Sequence, residues 1–423
     1  MIPLELGTET VYVEYITLAL VRSGFLPQVS RTYDERVRNA VISFQQANGL
    51  EPDGIVGDQT YSALLPYIEG YRRVRLKEGD TLQSIASEYG IAEGVISTAN
   101  PYTDWQSPAN AIITVPFDFD LIPADVQYTY YLTEILTRGL AMRYPFIKTF
   151  SVGFSVMGKN LTCLEIGEGD TEVFFNATHH ANEWITTPVV FKFAEDYAKA
   201  NAFDTNIGDI PAKRLFEEKT LFIVPVVNPD GMDLVTGGMT DTYYLDLARS
   251  ISNNYPNIPF PDGWKANILG TDLNLNYPAG WMNARENKFA LGFTTPAPRD
   301  YVGTAPLSAP ESRALYNFTL DHDFALTISY HTQGEVIYWK YLDYEPENSR
   351  AIGEEMSRVS GYALELTPSE SGYAGYKDWF ILNYNRPGYT VEVGRGTNPL
   401  PISDFDEIYA DNLPLMVVAL DMA

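Results

Sequence analysis

The feature that most constrains the fold is a long C-terminal region in which short apolar segments alternate with helical stretches. From about residue 125 onward, apolar segments occur at residues 173–175, 221–224, 325–328 and 389–391. Strands that alternate with helices build an α/β domain, in which helices cover both faces of a mixed sheet. The stretch from residue 125 to residue 423 is at the upper end of the length of one domain, and we predict that it forms a single α/β domain.

A small helical unit is predicted at the start of the chain. Val37, Val41 and Phe44 fall at helical spacing, and a glycine-containing turn at residues 53–57 precedes a second helical stretch. We place this helical bundle at residues 1–69.

A second small unit is predicted between the bundle and the α/β domain. It begins with a strand at residues 74–76 and a turn at residues 78–82, continues through a helical stretch, and closes with an apolar strand at residues 112–116. This order predicts a small α+β module at residues 70–118.

The charge balance limits the partners that the chain can bind. It has 55 Asp and Glu against 29 Lys and Arg, which gives a formal net charge of −26. Repulsion therefore argues against nucleic acid or an anionic membrane as a partner. No window approaches the ~20 apolar residues of a membrane span, so we expect no membrane partner. The single cysteine, Cys163, excludes an intramolecular disulfide and a cysteine-rich metal cluster.

The first residues carry no basic stretch followed by a long apolar run, which predicts a chain without a signal peptide. The expected location is then the cytoplasm, unless a leader lies upstream of this sequence.

Two of the four histidines follow apolar strands, where they are suited to bind a metal ion. His180 and Glu183 are three residues apart, and His331 follows a strand much later in the chain. Two histidines and one glutamate are a usual catalytic zinc set, with a fourth position left for water. A solvated surface pair would give the same His-x-x-Glu spacing, and spacing alone does not decide between His180 and its neighbour His179.

The α/β region resembles the carboxypeptidase A-like family of zinc metallopeptidases over roughly residues 130–420. The segments that carry the likeness follow in chain order at residues 174–187, 227–231, 270–277, 329–331 and 390–394. The resemblance implies a mixed eight-stranded sheet between helices. It also implies that His180, Glu183 and His331 bind one zinc ion and that Glu392 is the general base that activates water.

The same resemblance implies roles for the segment around residues 264–277, with two departures. Asp272 would fix a ligand histidine through a hydrogen bond, although a turn aspartate would fit the sequence equally well. Asn274 would contact substrate, but Leu275 stands where the family's exopeptidases carry an arginine that binds the terminal carboxylate. Lys265 stands near the position of the arginine that stabilises the oxyanion, a role that an ammonium can also perform.

Residues 272–281 resemble the branch of gamma-D-glutamyl-diamino acid endopeptidases, which cut between D-glutamate and diaminopimelate in cell-wall peptides. Lys377 falls where the family sets its specificity pocket, so it would contact a carboxylate of the diamino acid. Further candidates for substrate contact are Tyr373, Gln333 and Arg395.

The two N-terminal units also resemble known modules. Residues 40–45 and 49–60 resemble the peptidoglycan-binding-domain family of three-helix modules, while residues 79–82, 99–101 and 113–116 resemble LysM modules, which have a strand-helix-helix-strand fold. The resemblances imply peptidoglycan or muropeptides as partners and, through LysM, glycans that contain N-acetylglucosamine. They favour sporulation or wall recycling as the setting in the cytoplasm, or association with the cell wall if a leader lies upstream of this sequence. A linker module without a ligand would be the alternative.

Three functions remain open from the sequence. The first is a zinc endopeptidase that hydrolyses the gamma-D-glutamyl-meso-diaminopimelate bond while two modules hold it on the wall. The second is a catalytically weak or inactive wall-binding or spore-binding structural protein, favoured only by Leu275 and the missing arginine. The third is an exopeptidase acting on unrelated peptides, which the wall modules disfavour.

Overall fold

The computed structural model describes residues 3–106, 110–368 and 371–423. They divide into two compact units, residues 1–127 with 131–147 and residues 128–130 with 148–423. The predicted boundaries at residues 69 and 118 stay predictions. Within the described ranges, no helix combines the length and the apolar character needed to cross a membrane.

The first unit begins with three helices. Gln45 organises the turn between the second and third, because its side chain donates to Asp53 Oδ1 at 2.9 Å and accepts from the Gly54 amide at 2.9 Å. Val37, Val41 and Phe44 are buried, as their spacing predicted. The helices and strands of this part of the chain are α1 (Val11–Arg22), α2 (Glu35–Ala47), α3 (Asp58–Glu69), β1 (Tyr71–Arg75), α4 (Leu82–Tyr89), α5 (Glu93–Ala99), β2 (Ile112–Pro116) and α6 (Tyr130–Arg143).

The segment from β1 to β2 has the strand-helix-helix-strand order. The two strands pair antiparallel, and the side chain of Asn100 extends the pairing. Asn100 Nδ2 donates to the Thr114 carbonyl at 2.6 Å, and the Thr114 amide donates to Asn100 Oδ1 at 2.8 Å. The asparagine at the end of α5 therefore fixes the helix pair against β2.

The second unit is built on an eight-stranded mixed sheet flanked by helices, which confirms the predicted fold class. The strand order is β11-β10-β12-β9-β5-β8-β4-β3. The elements are β3 (Lys148–Phe154), β4 (Asn160–Gly167), β5 (Thr171–Ala177), α7 (Thr186–Ala202), β6 (Asn206–Ile207), β7 (Ile210–Pro211), α8 (Ala212–Glu218), β8 (Lys219–Val224), α9 (Pro229–Thr236), α10 (Thr242–Ser252), α11 (Trp281–Ala290), α12 (Pro310–Leu320), β9 (Leu326–His331), β10 (Val336–Tyr338), α13 (Ser349–Ser360), β11 (Ala363–Glu365), α14 (Tyr376–Tyr384), β12 (Gly388–Glu392) and α15 (Phe405–Met422).

The middle of the sheet positions the candidate site. Strands β8, β5, β9 and β12 are parallel neighbours, and their apolar segments are the four that the sequence predicted. The carboxyl ends of parallel strands meet at one edge, where open α/β sheets place their ligands. His331 and Glu392 end adjacent strands as register partners, and the chain leaves β5 three residues before His180.

Candidate metal centre and active-site cleft

Three side chains meet at the carboxyl edge of the sheet in an arrangement suited to bind a metal ion. Glu183 Oε1 lies 3.0 Å from His180 Nδ1, and Glu183 Oε2 lies 2.9 Å from His331 Nδ1. One potential ligand atom from each residue lies within 4.8 Å of the others. Two imidazole nitrogens and a carboxylate oxygen are the donor set of catalytic zinc sites, so the cluster fits zinc.

Asp272 fixes the orientation of His180. Its Oδ1 lies 3.0 Å from His180 Nε2 and, as a carboxylate oxygen, can only accept, which favours a proton on Nε2 and leaves Nδ1 on the side of the cluster as the nitrogen that would bind a metal ion. Burial alone would raise the pKa of the Asp272 carboxyl, but the adjacent His180 and Lys265 hold that pKa below its usual range. The positioning role of Asp272 stays a prediction, and the contact with His180 is the geometry that the role requires.

Replacing Asp272 with alanine is expected to weaken zinc binding by about 10- to 100-fold, as found when such supporting carboxylates are removed from other sites. The reason is that His180 loses the group that selects its tautomer. Competition with a chromophoric chelator would measure the zinc dissociation constant. An unchanged constant would contradict this role for Asp272.

His331 and Asn274 are also in contact. The Asn274 amide nitrogen lies 3.3 Å from His331 Nε2, and its amide oxygen accepts from the Tyr376 amide at 3.0 Å. The first turn of α14 therefore holds Asn274 beside the metal cluster. His179 belongs elsewhere: it is fully buried, with Nε2 3.0 Å from the Tyr277 hydroxyl, so His180 supplies the imidazole that faces Glu183.

Glu392 and Lys265 are the remaining charged groups beside the cluster. Burial raises the pKa of the Glu392 carboxyl to about 8, and the negative charge of Glu183 adds to the shift. Lys265 Nζ donates to Glu183 Oε1 at 2.6 Å. Burial opposes the charge on Lys265, but the charge and hydrogen bond of Glu183 together with the charge of Glu392 raise the lysine pKa above its usual value. The site therefore presents a basic carboxyl group and a persistent ammonium.

The comparisons with known proteins agree with this geometry. Residues 133–414 match the zinc carboxypeptidase family. The chain belongs to this family. Residues 13–64 separately match a family of peptidoglycan-binding domains. As a family member with a complete ligand set, the chain is a metallopeptidase with a zinc cofactor.

Two relatives and one solved structure show the range of the zinc carboxypeptidase family. The chain is 43% identical over 302 residues to gamma-D-glutamyl-L-diamino acid endopeptidase 1 of Lysinibacillus sphaericus, covering 71% of this chain and 74% of the relative. Carboxypeptidase B of Rattus norvegicus is 26% identical over 241 residues, covering 55% and 51%. The crystal structure of thrombin-activatable fibrinolysis inhibitor has the same fold, with a TM-score of 0.55, 19% identity and coverage of 70% and 74%.

The zinc carboxypeptidase domain has two cavities beside the cluster, of about 240 and 610 Å³. We call the smaller the lysine cavity, because Lys377 and Lys288 line it, and the larger the amide cavity, because Asn182, Gln333 and Asn398 line it. The residues common to both linings are Lys265, Arg299, Tyr338 and Glu392. A peptide that crosses from one cavity to the other would pass over these shared residues.

The predicted substrate contacts are distributed unevenly. Asn274 and Lys377 line the lysine cavity and Gln333 lines the amide cavity. Tyr373 instead packs in an apolar cluster with Leu275, and among the described residues it lines neither cavity.

Arg395 is also outside both linings. Its side chain is 76% exposed and lies 2.6 Å from Glu335 Oε2. The structure therefore brings three of the five predicted contacts to the cleft.

Lys377, which the sequence predicts to contact a carboxylate of the diamino acid, is already paired with a carboxylate inside the protein. Its side chain is 4% exposed, and Nζ donates to Asp378 Oδ1 at 2.6 Å and to the Lys340 carbonyl at 2.9 Å. An ammonium has three protons, so two are used inside the protein and one remains for the cavity. Lys377 is thus a positioned donor in a buried ion pair.

Sequence reasoning missed Lys288, Arg299 and Asp300, which line the lysine cavity. Lys288 lies in the last turn of α11, and the loop of Arg299 and Asp300 is held beside the cleft because the Pro298 carbonyl accepts from the Lys265 and Ala266 amides. No recognised motif contains these residues. The only available signal was the closeness of the charges at residues 299 and 300, which does not identify a cleft.

Proposed function

We propose that the chain is a zinc endopeptidase that hydrolyses the gamma-D-glutamyl-meso-diaminopimelate bond of peptidoglycan stem peptides. The observation that carries the proposal is a complete zinc and base constellation in a cleft where Leu275 replaces the terminal-carboxylate arginine of the exopeptidases. Leu275 lines the lysine cavity and belongs to an apolar cluster. A leucine cannot pair with a carboxylate, so substrate chains that continue past the scissile bond are favoured. The name of the 43% identical relative supports the same bond.

The catalytic roles follow from position. A zinc ion held by His180, Glu183 and His331 would polarise the scissile carbonyl and acidify water. Glu392 lines both cavities, so it lies where a substrate that spans them would be cut. There it takes a proton from the attacking water and returns it to the leaving amine. Lys265, at the same junction, stabilises the negative charge that develops on the carbonyl oxygen.

The lysine cavity is proposed to hold the diaminopimelate side. The third ammonium proton of Lys377 would donate to a carboxylate of the diamino acid, while Asn274 would donate to the peptide near the metal cluster. Gln333 in the amide cavity would contact the acyl side. Tyr373 and Arg395 lie outside both linings, so they are left out of this proposal.

The N-terminal unit is proposed to hold the enzyme on its polymer. The family match at residues 13–64 supports peptidoglycan binding, and the Asn100-linked fold of residues 71–116 is suited to a LysM-type contact with glycans containing N-acetylglucosamine. These modules favour the cell wall or the developing spore as the place of action.

The decisive experiment uses L-Ala-gamma-D-Glu-meso-diaminopimelate-D-Ala as substrate for the zinc-loaded chain, with products identified by mass spectrometry. Release of L-Ala-D-Glu is expected, with Glu392→Gln as the inactive control. Cleavage of this peptide without release of L-Ala-D-Glu from intact sacculus would support the proposed bond but contradict the proposed contact with the wall. No cleavage of the peptide or of digested sacculus despite bound zinc would favour a structural, wall-binding protein.

Metal removal provides a separate prediction. Dialysis against a chelator is expected to abolish cleavage, and one equivalent of zinc should restore it. The reason is that the metal ion is the Lewis acid that polarises the scissile carbonyl and acidifies the attacking water. Circular dichroism should show that the fold persists without the metal. Full activity in a preparation shown to be free of metal would contradict the zinc mechanism.

A further inference from the structure

The cations of the cleft differ in how many donors they have left for a substrate. Lys265 is paired with Glu183, Lys377 with Asp378, and Lys288 with Asp300 at 2.5 Å. Each of these ammonium groups therefore has its charge balanced by a carboxylate of the protein. A ligand carboxylate gains less from a cation that is already paired.

Arg299 is also paired, but it shares the single carboxylate of Asp300 with Lys288 and keeps more free donors than the lysines of the described cleft. Its Nε donates to Asp300 Oδ2 at 2.8 Å, and the described residues provide no partner for its two terminal nitrogens. A guanidinium has five N–H donors, so four remain. The side chain is 41% exposed, and it lines both cavities. Arg299 thus presents an open, planar fork where the two cavities meet.

Asp300 fixes the orientation of the Arg299 guanidinium on the side away from its free terminal nitrogens. Asp300 binds Lys288 through Oδ1 and Arg299 through Oδ2, and its amide donates to Asp272 Oδ2 at 3.1 Å. Asp272 in turn holds His180. Arg299 is therefore tied to the metal cluster through two carboxylates, and its free edge faces the cleft that a substrate would occupy.

We propose that Arg299 binds the α-carboxylate of the D-glutamyl residue on the acyl side of the scissile bond. This inference rests on the proposed function. A gamma linkage routes the peptide through the glutamate side chain and leaves the α-carboxylate as a branch a few bonds from the reacting carbonyl. A guanidinium fork pairs with a carboxylate through two parallel hydrogen bonds. Arg299 is thereby a specificity residue that favours substrates with a D-glutamate α-carboxylate over those with an α-amide.

The test compares L-Ala-gamma-D-Glu-meso-diaminopimelate-D-Ala with the same peptide carrying D-isoglutamine, in which the α-carboxylate is an amide. The wild type is expected to prefer the acid about 10- to 100-fold in kcat/KM. Arg299→Gln should lose this preference by raising KM for the acid, with kcat nearly unchanged, because the contact exists in both ground and transition states. Arg299→Lys should recover part of it.

Arg350→Gln is the matched control. Arg350 lies on α13, is 67% exposed and pairs only with Glu354 among the described residues, so its loss should leave both peptides unaffected. Equal cleavage of the two peptides by the wild type, or a preference that survives in Arg299→Gln, would overturn the proposal while leaving the endopeptidase activity intact. Cleavage of neither peptide would instead overturn the proposed function itself.

Discussion

Replacing Glu392 with glutamine is expected to lower kcat by about 10²- to 10⁴-fold, the usual contribution of a positioned general base. Glutamine preserves the shape of the side chain but cannot accept the proton of the attacking water. Zinc content should be unchanged, because Glu392 is outside the His180, Glu183 and His331 cluster. Steady-state cleavage of the tetrapeptide together with metal analysis would measure both quantities.

The matched control for this substitution is Glu354→Gln, which changes the same group on the exposed face of α13. Its kcat should equal that of the wild type. If Glu392→Gln retained more than about a tenth of the wild-type kcat with zinc bound, another group would have to act as the base.

The strands and their common edge could be predicted because they depend on local apolar pattern. The four predicted apolar segments became β5, β8, β9 and β12, and parallel pairing then brought His331 and Glu392 together as neighbours. The predicted zinc ligands came from residue type and family resemblance, and the structure places them within contact. The sheet order, by contrast, depends on long-range pairing that no local pattern contains.

The choice between His179 and His180 shows why spacing alone was insufficient. The alternation of side chains between the two faces of the sheet ends with β5 at Ala177. Thr178 then adopts a φ of 55°, so the strand pattern no longer predicts which of the next two histidines faces the cluster. The Thr178 hydroxyl is held by Thr186 and Thr187 at 2.9 and 2.8 Å. The residues that fix this conformation lie outside the His-x-x-Glu spacing, at the start of α7.

Arg299 was missed for a related reason. Its place in the cleft depends on backbone hydrogen bonds from the Lys265 amide to the Pro298 carbonyl and from the Asp272 amide to the Tyr301 carbonyl, which join segments more than two dozen residues apart. Lys377 lines the lysine cavity, and its predicted contact with substrate stays a prediction, but its pairing with Asp378 could not be read from adjacency in sequence. Charge pairing is a property of the assembled site, so sequence predicted its residues better than their electrostatic state.

Replacing Lys265 with methionine is expected to lower kcat by about 10²- to 10³-fold, the range found when a single oxyanion donor is removed. Methionine keeps an unbranched side chain of similar length but removes the ammonium that lies between the two cavities. Lys265→Arg should keep most of the activity, since the family resemblance places an arginine near this position. Single-turnover cleavage of the tetrapeptide would isolate the chemical step from product release.

The contact between Lys265 and Glu183 requires a second measurement on the same variants. If the lysine serves mainly to hold Glu183, Lys265→Met will lose zinc, and saturating zinc will restore its kcat. If it stabilises the oxyanion, zinc will remain bound while kcat falls, and added metal will not help. A fully zinc-loaded Lys265→Met enzyme with wild-type kcat would contradict the catalytic role of Lys265, and Arg299, the cation of the described cleft with the most free donors, would be the next candidate.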